Sequence, residues 1–364
     1  MKILIYINTI SKFNYGNLAS NLELMKGFRE LGAEVTFVVN KKSADDVNVP
    51  VRVIPLNAVG DIDRPFKLYT TIREEKPDIV IANMLTQITT ASITKKILNS
   101  DRVKFIGIER DLRPWHMKPW KLPYRFFIKR IYENMDKVIA ISPAVKSDLE
   151  RTFYVNEDKI RVIYNPIDLD RIRELAKEPI EKEFENFFRK RNVLVWVGRI
   201  DEQKEPLLAL EVLKGILKYK DVKLCYVGQG GLENILRNKI SEYKLDKFVL
   251  ITGFRENPYK YMGRAKLLIH TARREGLGRV ILESLALGVP PIAFYNQHSG
   301  YKEILGAYNK EVLIPFGDIE GMVRKVIDLL EQNSVYDKLS LKARHTADQF
   351  HRKVIVRKLL EEVV

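Results

Sequence analysis

Short apolar runs alternate with helical patterns along the first half of the chain. Ser142-Pro143 fits a helix N-cap followed by proline at the first helical position. Strands that alternate with helices predict a doubly wound parallel α/β sheet. The predicted strands are Lys2–Ile7, Glu34–Val39, Asp78–Ala82, Val103–Ile108 and Lys137–Ile141, and a helix is predicted from about Leu18 to Leu31.

A second series of strands follows an interruption. Residues 164–168 form a predicted turn, and residues 171–191 are highly charged with a helical pattern. We therefore predict two α/β domains, residues 1–168 and 169–344, and a final helix at residues 345–364. Ligands of such sheets bind beyond the carboxyl ends of the strands, so we expect the site in a cleft between the domains. The strands of the second series are Val193–Val197, Val222–Val227, Phe248–Thr252, Leu267–His270 and Pro291–Phe294.

Composition and charge narrow the class of protein. Apolar residues make up 46% of the 364 residues and charged residues 30%, as in ordinary soluble proteins. The formal charge of +15 is spread over both halves of the chain. This spread is less typical of a nucleic-acid binder, which concentrates its charge on one face, than of a protein that meets phosphates or anionic headgroups. We therefore expect no nucleic-acid partner.

Cysteine use and the apolar runs bear on the compartment. Cys225 is the only cysteine and lies within an apolar run, so we predict a small core residue and no internal disulfide. The apolar run after Met1 is shorter than a signal peptide needs. We find no run near the ~18 apolar residues of a membrane span. We expect a cytoplasmic protein.

The run from Glu275 to Glu283 is the strongest indication of chemistry. A loop with Gly276 and Gly278 turns into a predicted buried helix. Free backbone N–H groups and the positive end of the helix dipole suit a phosphate there. Glu275 precedes this anion site, and Glu283 lies about two turns into the predicted helix. A phosphate site flanked by carboxylates that accept hydroxyl groups suits a nucleotide-sugar.

Cations and glycines follow the other strands of the second series. Gly198 permits a tight turn, and Arg199 and Lys204 are able to neutralise a diphosphate, although a solvated turn is the simpler interpretation of that loop alone. Gly228 ends the next strand and begins another turn that suits a phosphate. Gly253-Phe254 offers a backbone and a ring for a base, or a buried aromatic residue.

The ordered set of these residues resembles the second domain of the retaining glycosyltransferases of family 4. That family has the GT-B architecture, two Rossmann-like doubly wound domains that face a cleft. The resemblance covers about residues 193–317. The matching residues are Val197-Gly198-Arg199, Lys204, Val227-Gly228-Gln229-Gly230, Gly253-Phe254, Arg274-Glu275-Gly276-Leu277-Gly278, Leu282-Glu283-Ser284-Leu285-Ala286-Leu287-Gly288, Gly300 and Glu303-Ile304.

The resemblance implies a donor site and a role for each residue. Arg199 and Lys204 hold the diphosphate of a nucleotide-sugar, with the backbone of Leu277 and Gly278. Glu275 faces the transferred sugar. Glu283 accepts hydrogen bonds from the ribose, or is a buried glutamate satisfied by a backbone turn. The final helix crosses back onto the first domain, and no metal or other cofactor is required.

The first domain departs from the family pattern. Only Gly16, in a predicted loop, corresponds to the glycine pair that usually follows the first strand. The family's histidine after a middle strand is absent, because no histidine precedes His116. Glu109 or Arg110 serves at that place, or the acceptor is held differently. We expect a saccharide or lipid-linked acceptor on this domain.

Residues 110–130 mix basic and aromatic side chains. Trp115, Trp120, Tyr124, Phe126 and Phe127 lie among the basic residues. This composition suits peripheral contact with an anionic membrane. Equally, it suits an irregular loop before a helix whose Phe126, Phe127 and Ile131 face the core.

Two aspartate pairs match a metal motif of a different glycosyltransferase architecture. Asp61 and Asp63 lie in a loop of the first domain, and Asp168 and Asp170 lie at the domain boundary, so we expect no metal at either. The spacing of the five histidines also fits no metal site. The alternative functions are a GT-B sugar-nucleotide epimerase or phosphorylase and a non-catalytic scaffold that binds anions or nucleic acid.

Overall fold

The structure is a computed structural model that describes residues 1–11, 15–112, 122–189 and 192–363. It divides into two compact units. The first unit comprises Met1–Ile167 and Arg352–Val364, and the second comprises Asp168–His351. Each unit is built on one parallel sheet flanked by helices, so the predicted doubly wound α/β class is confirmed.

The first unit contains a seven-stranded sheet. Its strand order is β3-β2-β1-β4-β5-β6-β7, and every neighbouring pair is parallel. Its central strands are buried on both faces, which explains their continuous apolar sequences. The strands are β1 (Lys2–Ile7), β2 (Glu34–Val39), β3 (Arg52–Pro55), β4 (Ile79–Asn83), β5 (Lys104–Glu109), β6 (Lys137–Ala140) and β7 (Ile160–Val162). The helices are α1 (Tyr15–Glu30), α2 (Arg64–Glu75), α3 (Met84–Leu98), α4 (Leu122–Glu133) and α5 (Pro143–Phe153).

The second unit contains a six-stranded parallel sheet with the order β10-β9-β8-β11-β12-β13. Its strands are β8 (Val193–Val197), β9 (Lys223–Val227), β10 (Val249–Ile251), β11 (Leu267–His270), β12 (Pro291–Tyr295) and β13 (Leu313–Pro315). Its helices are α6 (Leu169–Leu175), α7 (Lys182–Phe188), α8 (Pro206–Ile216), α9 (Glu233–Glu242), α10 (Tyr259–Met262), α11 (Arg279–Leu287), α12 (Lys302–Asn309), α13 (Ile319–Glu331) and α14 (Asn333–Asp348).

A last helix, α15 (Arg352–Val363), belongs to the first unit and packs on α1. Arg352 donates hydrogen bonds to Glu23 at 2.6 Å and to Glu30 at 2.7 Å. A Cβ atom at Gly27 would lie 2.5 Å from Cγ2 of Val356. Glycine at this position therefore lets the two helices approach closely.

Two predicted helical segments differ from the structure. Residues 171–191 were predicted as one helical stretch, but α6 and α7 are separate helices. The single helix predicted at residues 345–364 is also wrong, because α14 ends at Asp348 and α15 begins at Arg352.

The predictions for Ser142 and Cys225 are confirmed. The hydroxyl of Ser142 caps α5 by accepting the N–H of Val145 at 3.2 Å, and Pro143 occupies the first turn. Cys225 is buried in β9, and this burial raises the pKa of its thiol. No helix in the described part of the chain is both long and apolar enough to cross a bilayer.

Candidate active site

The candidate site of the second unit lies where its strand order reverses. From β8 the chain proceeds to β9 on one side, whereas from β11 it proceeds to β12 on the other. Ligands of open α/β sheets bind beyond the carboxyl ends of the strands at such a point. The loops that leave β8 and β11 contain both predicted cations and Glu275.

Three glycines bring the strand-end loops of β8, β9 and β10 together. The N–H of Gly228 donates to the carbonyl of Gly253 at 2.9 Å. A Cβ atom on Gly228, whose φ is +150°, would lie 1.8 Å from the carbonyl oxygen of Gly198. Since no side chain fits there, the close contact of these loops requires glycine.

Thr271 joins the loops that follow β8 and β11. Its hydroxyl lies 2.9 Å from the carbonyl oxygen of Lys204 and 2.8 Å from that of Glu205. The same hydroxyl accepts the indole N–H of Trp196 at 3.0 Å. The backbone of Lys204 is thereby fixed beside the end of β11.

Lys204 and Glu275 form an ion pair at this point. The Lys204 ammonium donates directly to Oε2 of Glu275, and each side chain is only 17% exposed. Burial by itself would raise the pKa of Glu275, but the charge and hydrogen bond of Lys204, together with His270 and Arg199, outweigh burial and hold this pKa below its ordinary value. Glu275 is therefore a carboxylate at neutral pH.

The turn after β12 holds the backbone of Glu275. The Glu275 N–H donates to the carbonyl of His298 at 3.0 Å, and the Gly300 N–H donates to the carbonyl of Glu275 at 2.8 Å. Both bonds flank a short parallel bridge between Glu275 and Ser299. Glu275 thus lies on a rigid segment.

His270, the last residue of β11, completes the cluster and was missed as a site residue by the sequence analysis. It is 3% exposed, and its Nε2 lies 3.9 Å from Oε2 of Glu275. Within the described ranges, this Nε2 has no hydrogen-bond partner. Its ring meets that of Tyr301 edge to face, with centroids 5.0 Å apart. Burial lowers the pKa of His270 to about 4, so the ring is neutral at pH 7.

Arg199, the second predicted cation, differs from Lys204 in its surroundings. Its side chain is 65% exposed and pairs with Asp201 at 3.0 Å. The solvated-turn interpretation therefore describes Arg199 but not Lys204. Arg199 stays free to reorient, because an exposed ion pair contributes little stability.

The start of α11 has the features of an anion site. Gly278 is the N-cap with φ +81°, and the helix has no side-chain cap. A Cβ atom on Gly278 would lie 2.9 Å from the Tyr301 ring, so glycine is needed for both conformation and space. Leu277 is buried beside Gly278, and Gly276 precedes Leu277. Helix N–H groups without internal partners suit an anionic ligand.

Glu283 lies one turn into α11, not two as predicted, because the helix begins at Arg279. The Arg279 Nε–H donates to its Oε1 at 2.7 Å, and the Tyr259 hydroxyl donates to the same oxygen at 3.0 Å. Side chains rather than a backbone turn therefore contact this carboxylate. Phe254 is 43% exposed, so the alternative of a buried aromatic residue is wrong.

The first unit has a buried polar cluster at the ends of β4 and β5. Arg110 donates to Asn83 at 3.1 Å, to Asn21 at 3.3 Å and also to Asn165. Glu109 is 1% exposed and accepts the hydroxyl of Tyr132 at 2.6 Å. The sequence analysis named Glu109 and Arg110 but none of the asparagines.

Met84 and Gly16 are two further features of the first unit. Met84, which follows Asn83, has φ +71°, and such strained residues cluster at functional sites. Gly16 was predicted in a loop, but it is the second residue of α1. Among the described residues, no atom would lie within 4 Å of a Cβ atom there, so their packing does not require this glycine.

The aspartate pairs have local structural contacts. Asp61 pairs with Arg64 at 2.6 Å, and Asp63 accepts the N–H of Val59 at 3.2 Å. Asp168 caps α6 by accepting the N–H of Arg171 at 3.1 Å. Across the described ranges, no group of three His, Cys, Asp or Glu residues is arranged to hold a metal ion.

The aromatic residues in the first half of α4 are exposed, whereas Tyr132 near its end is buried. Phe126 is 54% and Phe127 55% exposed, so the prediction that both face the core is wrong, whereas Ile131 is buried. Tyr124 is also exposed. Trp115, Trp120 and His116 lie outside the described residues.

Family models match nearly the whole chain. The model described as Glycosyltransferase Family 4 matches residues 19–171, and the model described as Glycosyl transferases group 1 matches residues 177–346. The chain belongs to the family 4 glycosyltransferases, and its fold is GT-B.

Two curated relatives are named as glycosyltransferases. An uncharacterized glycosyltransferase of Methanocaldococcus jannaschii is 28% identical over 287 residues, which cover 76% of this chain and 68% of that protein. The N-acetylgalactosamine-N,N'-diacetylbacillosaminyl-diphospho-undecaprenol 4-alpha-N-acetylgalactosaminyltransferase of Campylobacter jejuni is 28% identical over 237 residues, 65% of this chain and 62% of that protein.

Among solved structures, HepE of Anabaena in complex with UDP superimposes with a TM-score of 0.82. It is 20% identical, and the match covers 100% of this chain and 99% of that one. The same protein was also solved with UDP-glucose. This similarity establishes the fold.

Proposed function

We propose that this glycosyltransferase moves a sugar from a nucleoside diphosphate donor, bound by the second unit, to a saccharide hydroxyl with retention of anomeric configuration. The observation that carries the proposal is the Lys204–Glu275 pair at the strand-order reversal, beside glycine loops and an uncapped helix start. Cations and free N–H groups serve a diphosphate, and a fixed carboxylate serves sugar hydroxyls.

The diphosphate would lie between the Lys204 ammonium, the exposed Arg199 guanidinium and the first N–H groups of α11. As the bond to the sugar breaks, negative charge grows on the leaving diphosphate. Preorganised positive groups lower the energy of that state more than that of the ground state. These side chains and the helix dipole supply that stabilisation in the proposal without a metal cofactor.

The two glutamates would serve different parts of the donor. Glu275, held from its backbone, positions the hydroxyls of the transferred sugar. Glu283, fixed through Oε1 by Arg279 and Tyr259, accepts from the ribose. Phe254, exposed after β10, offers a face to the base.

Retention follows, in this proposal, from attack on the face that the diphosphate leaves. The departing diphosphate accepts the proton of the acceptor hydroxyl while the new bond forms, so no protein nucleophile is needed. Glu275, whose backbone is held on both sides, positions the sugar in this proposal and does not attack it.

We place the acceptor on the first unit, with Arg110 and Glu109 at the ends of its central strands. Both are buried and fixed by polar neighbours. Gly16, in the first turn of α1, would lie on the acceptor side as well. The name of the Campylobacter relative specifies an undecaprenol-linked acceptor for that protein. A lipid-linked saccharide is the acceptor class we propose.

Contact with an anionic membrane would suit such an acceptor. Pro123, Phe126, Phe127 and Arg130 lie on one exposed face of α4, as their spacing requires. Tyr154 stacks on Phe126 with ring centroids 6.2 Å apart and is 45% exposed. Exposed aromatic rings beside a cation fit a lipid headgroup boundary.

Nucleotide binding tests the donor site. UDP, GDP and ADP would be added to the wild type and to Arg199→Ala/Lys204→Ala in a thermal melt. A ligand at about one hundred times its Kd stabilises by about 2.7 kcal/mol, a rise of several degrees in Tm. We expect this rise with one nucleotide in the wild type and its loss in the double variant.

A control variant removes two cations elsewhere in the same unit. Arg324→Ala/Lys338→Ala changes α13 and α14 and should keep the full rise in Tm. If the wild type responds to none of the nucleotides, or if both double variants respond equally, the donor site is wrong. In that case a GT-B scaffold without this activity becomes the better interpretation. Donor turnover without an acceptor would instead favour an epimerase.

Vesicle sedimentation tests the membrane contact. The wild type should bind phosphatidylglycerol vesicles more than phosphatidylcholine vesicles. Phe126→Ser/Phe127→Ser should lower the bound fraction at least about fivefold, because burial of each ring contributes about 1.5–3 kcal/mol. Tyr219→Ser, at a residue 70% exposed in the other unit, is the matched control and should bind normally. Equal binding by both variants would contradict the proposal.

A further inference from the structure

The proposed donor site gives Lys204 and Glu275 separate partners, yet the structure pairs them with each other. Resting on that proposed function, we propose that His270 is a positioning residue that donates a hydrogen bond to Glu275 when Lys204 moves to the diphosphate. As the nucleotide-sugar binds, Glu275 would thus exchange the hydrogen bond from Lys204 for one from His270.

The ion pair has to change when a diphosphate arrives. Both side chains are mostly buried, and the ammonium donates to Oε2 of Glu275. The lysine stem is flexible, so the ammonium is able to swing while its backbone stays fixed by Thr271. Glu275 has less freedom, because hydrogen bonds hold its backbone on both sides.

A Glu275 carboxylate left without a donor would be costly. Removing one partner of a buried charged pair leaves an uncompensated charge, which destabilises strongly. That cost would oppose donor binding unless a second donor replaced the lysine.

His270 has the position and the chemistry of this second donor. Its Nε2 lies 3.9 Å from the same Oε2 that Lys204 contacts, and among described residues no group bonds to that nitrogen. A buried polar atom without a partner is rare in native structures. Contact with Tyr301, whose hydroxyl donates to the carbonyl of Phe294, holds the ring in place. A small shift of the carboxylate reaches hydrogen-bond distance.

A neutral imidazole suits the task better than a second cation. With its proton on Nε2, the ring donates one hydrogen bond to the carboxylate without adding charge. The neutral ring therefore does not repel the Lys204 ammonium in the resting state and does not compete with it as a second cation for Glu275. Glu275 stays ionised for the sugar hydroxyls in both states.

A double-mutant cycle on nucleotide affinity tests the exchange. The probe is UDP, or whichever nucleoside diphosphate stabilises the wild type. His270→Phe should weaken its binding by about tenfold, since a hydrogen bond to a charged group is lost. His270→Gln, which keeps an N–H donor, should lose less than about threefold. In a Glu275→Gln background Lys204 has no ion pair to leave, so His270→Phe should change affinity less than about twofold.

The outcomes separate positioning from packing. An equal loss for His270→Phe in both backgrounds would mean that the ring only packs the site, and no loss in either would overturn the exchange. Affinity of Glu275→Gln itself should equal or exceed that of the wild type. A wild type that binds no nucleoside diphosphate would overturn the proposed donor site, and this inference with it.

Nitrogen NMR of the unmutated protein gives an independent result. We expect His270 to be neutral with its proton on Nε2, and we expect the signal of that proton to move downfield when the nucleotide is added. A proton on Nδ1, or an unchanged signal at saturation, would overturn the proposal without relying on the folding of any variant.

Discussion

At the scale of single residues, the site depends on charged side chains that are mostly buried. Glu275 lies within reach of Lys204 from the loop after β8 and of His270 from the end of β11. The pKa of both groups is lowered, which keeps the histidine neutral and the carboxylate ionised at pH 7. A cluster with one cation, one anion and one neutral donor results.

The pKa of His270 predicts how stability changes with pH. In the unfolded chain a histidine takes up its proton near pH 6.5, whereas His270 in the folded protein does so near pH 4. Between these values the unfolded state binds more protons, so its free energy falls relative to the folded state as the pH decreases. The contribution is fully present above pH 6.5 and falls by about 2 kcal/mol by about pH 4.5.

Urea unfolding at about pH 7 and pH 4.5 measures this effect. Other carboxyl groups also titrate in this range, so His270→Gln is compared with the wild type at each pH. The loss of unfolding free energy on acidification should be smaller in the variant by about 2 kcal/mol. Identical losses in the two proteins would contradict the assignment of a neutral His270.

At the scale of elements, the sequence predicted the central strands and the glycine loops but missed three short edge strands. Burial on both faces makes central strands such as β1 and β4 continuous apolar runs, which are easily recognised. Strands β3, β7 and β13 lie at sheet edges, have only three or four residues, and each includes a proline or a charged residue, which leaves no clear apolar run. Their pairing in the sheet, rather than local preference, makes them strands.

Site residues differ in the same way. Gly228 and Gly278 were predicted because a close approach of the backbone to another group, or a positive φ, requires glycine, and glycine is visible in the sequence. His270 carries no such mark, since its role depends on Glu275 and Tyr301, which the fold brings close. The asparagines around Arg110 likewise come from separate segments of the chain.

The packing of α1 on α15 gives a prediction at this scale. Alanine favours a helix over glycine by about 1 kcal/mol, but a Cβ at position 27 collides with Val356. Gly27→Ala should therefore destabilise the wild type by about 1–3 kcal/mol, the typical cost of overpacking. A Val356→Ala background removes the 2.5 Å contact but keeps Cγ of Arg352 at 3.0 Å and the Cβ of residue 356 at 3.1 Å, so the same change should be less destabilising there by about 1 kcal/mol or more.

Chemical denaturation of the four proteins in this cycle measures the effect. A smaller cost in the Val356→Ala background is the decisive result, because helix propensity alone would make Gly27→Ala equally stabilising in both. An equal change in the two backgrounds would mean that α1 and α15 do not approach as described.

At the scale of the whole molecule, regular alternation of strands and helices made the two-unit α/β organisation predictable. The two sheets have equivalent strand orders around their reversal points, apart from the additional edge strand β7 in the first. The exact place where the chain returns to the first unit was not predictable. Helices α14 and α15 are both amphipathic, and only packing assigns one to each unit.

That return to the first unit affects how the protein is made. The second unit is one continuous stretch, Asp168–His351, whereas the first is complete only when Arg352 and the residues after it have been synthesised. A ribosome adds about 5–20 residues per second, and domains fold as their residues emerge. All residues of the second unit are thus synthesised before those of the first unit are complete. Until α15 is made, the face of α1 that contains Gly27 has no helix packed on it. The order of completion reverses the order of synthesis.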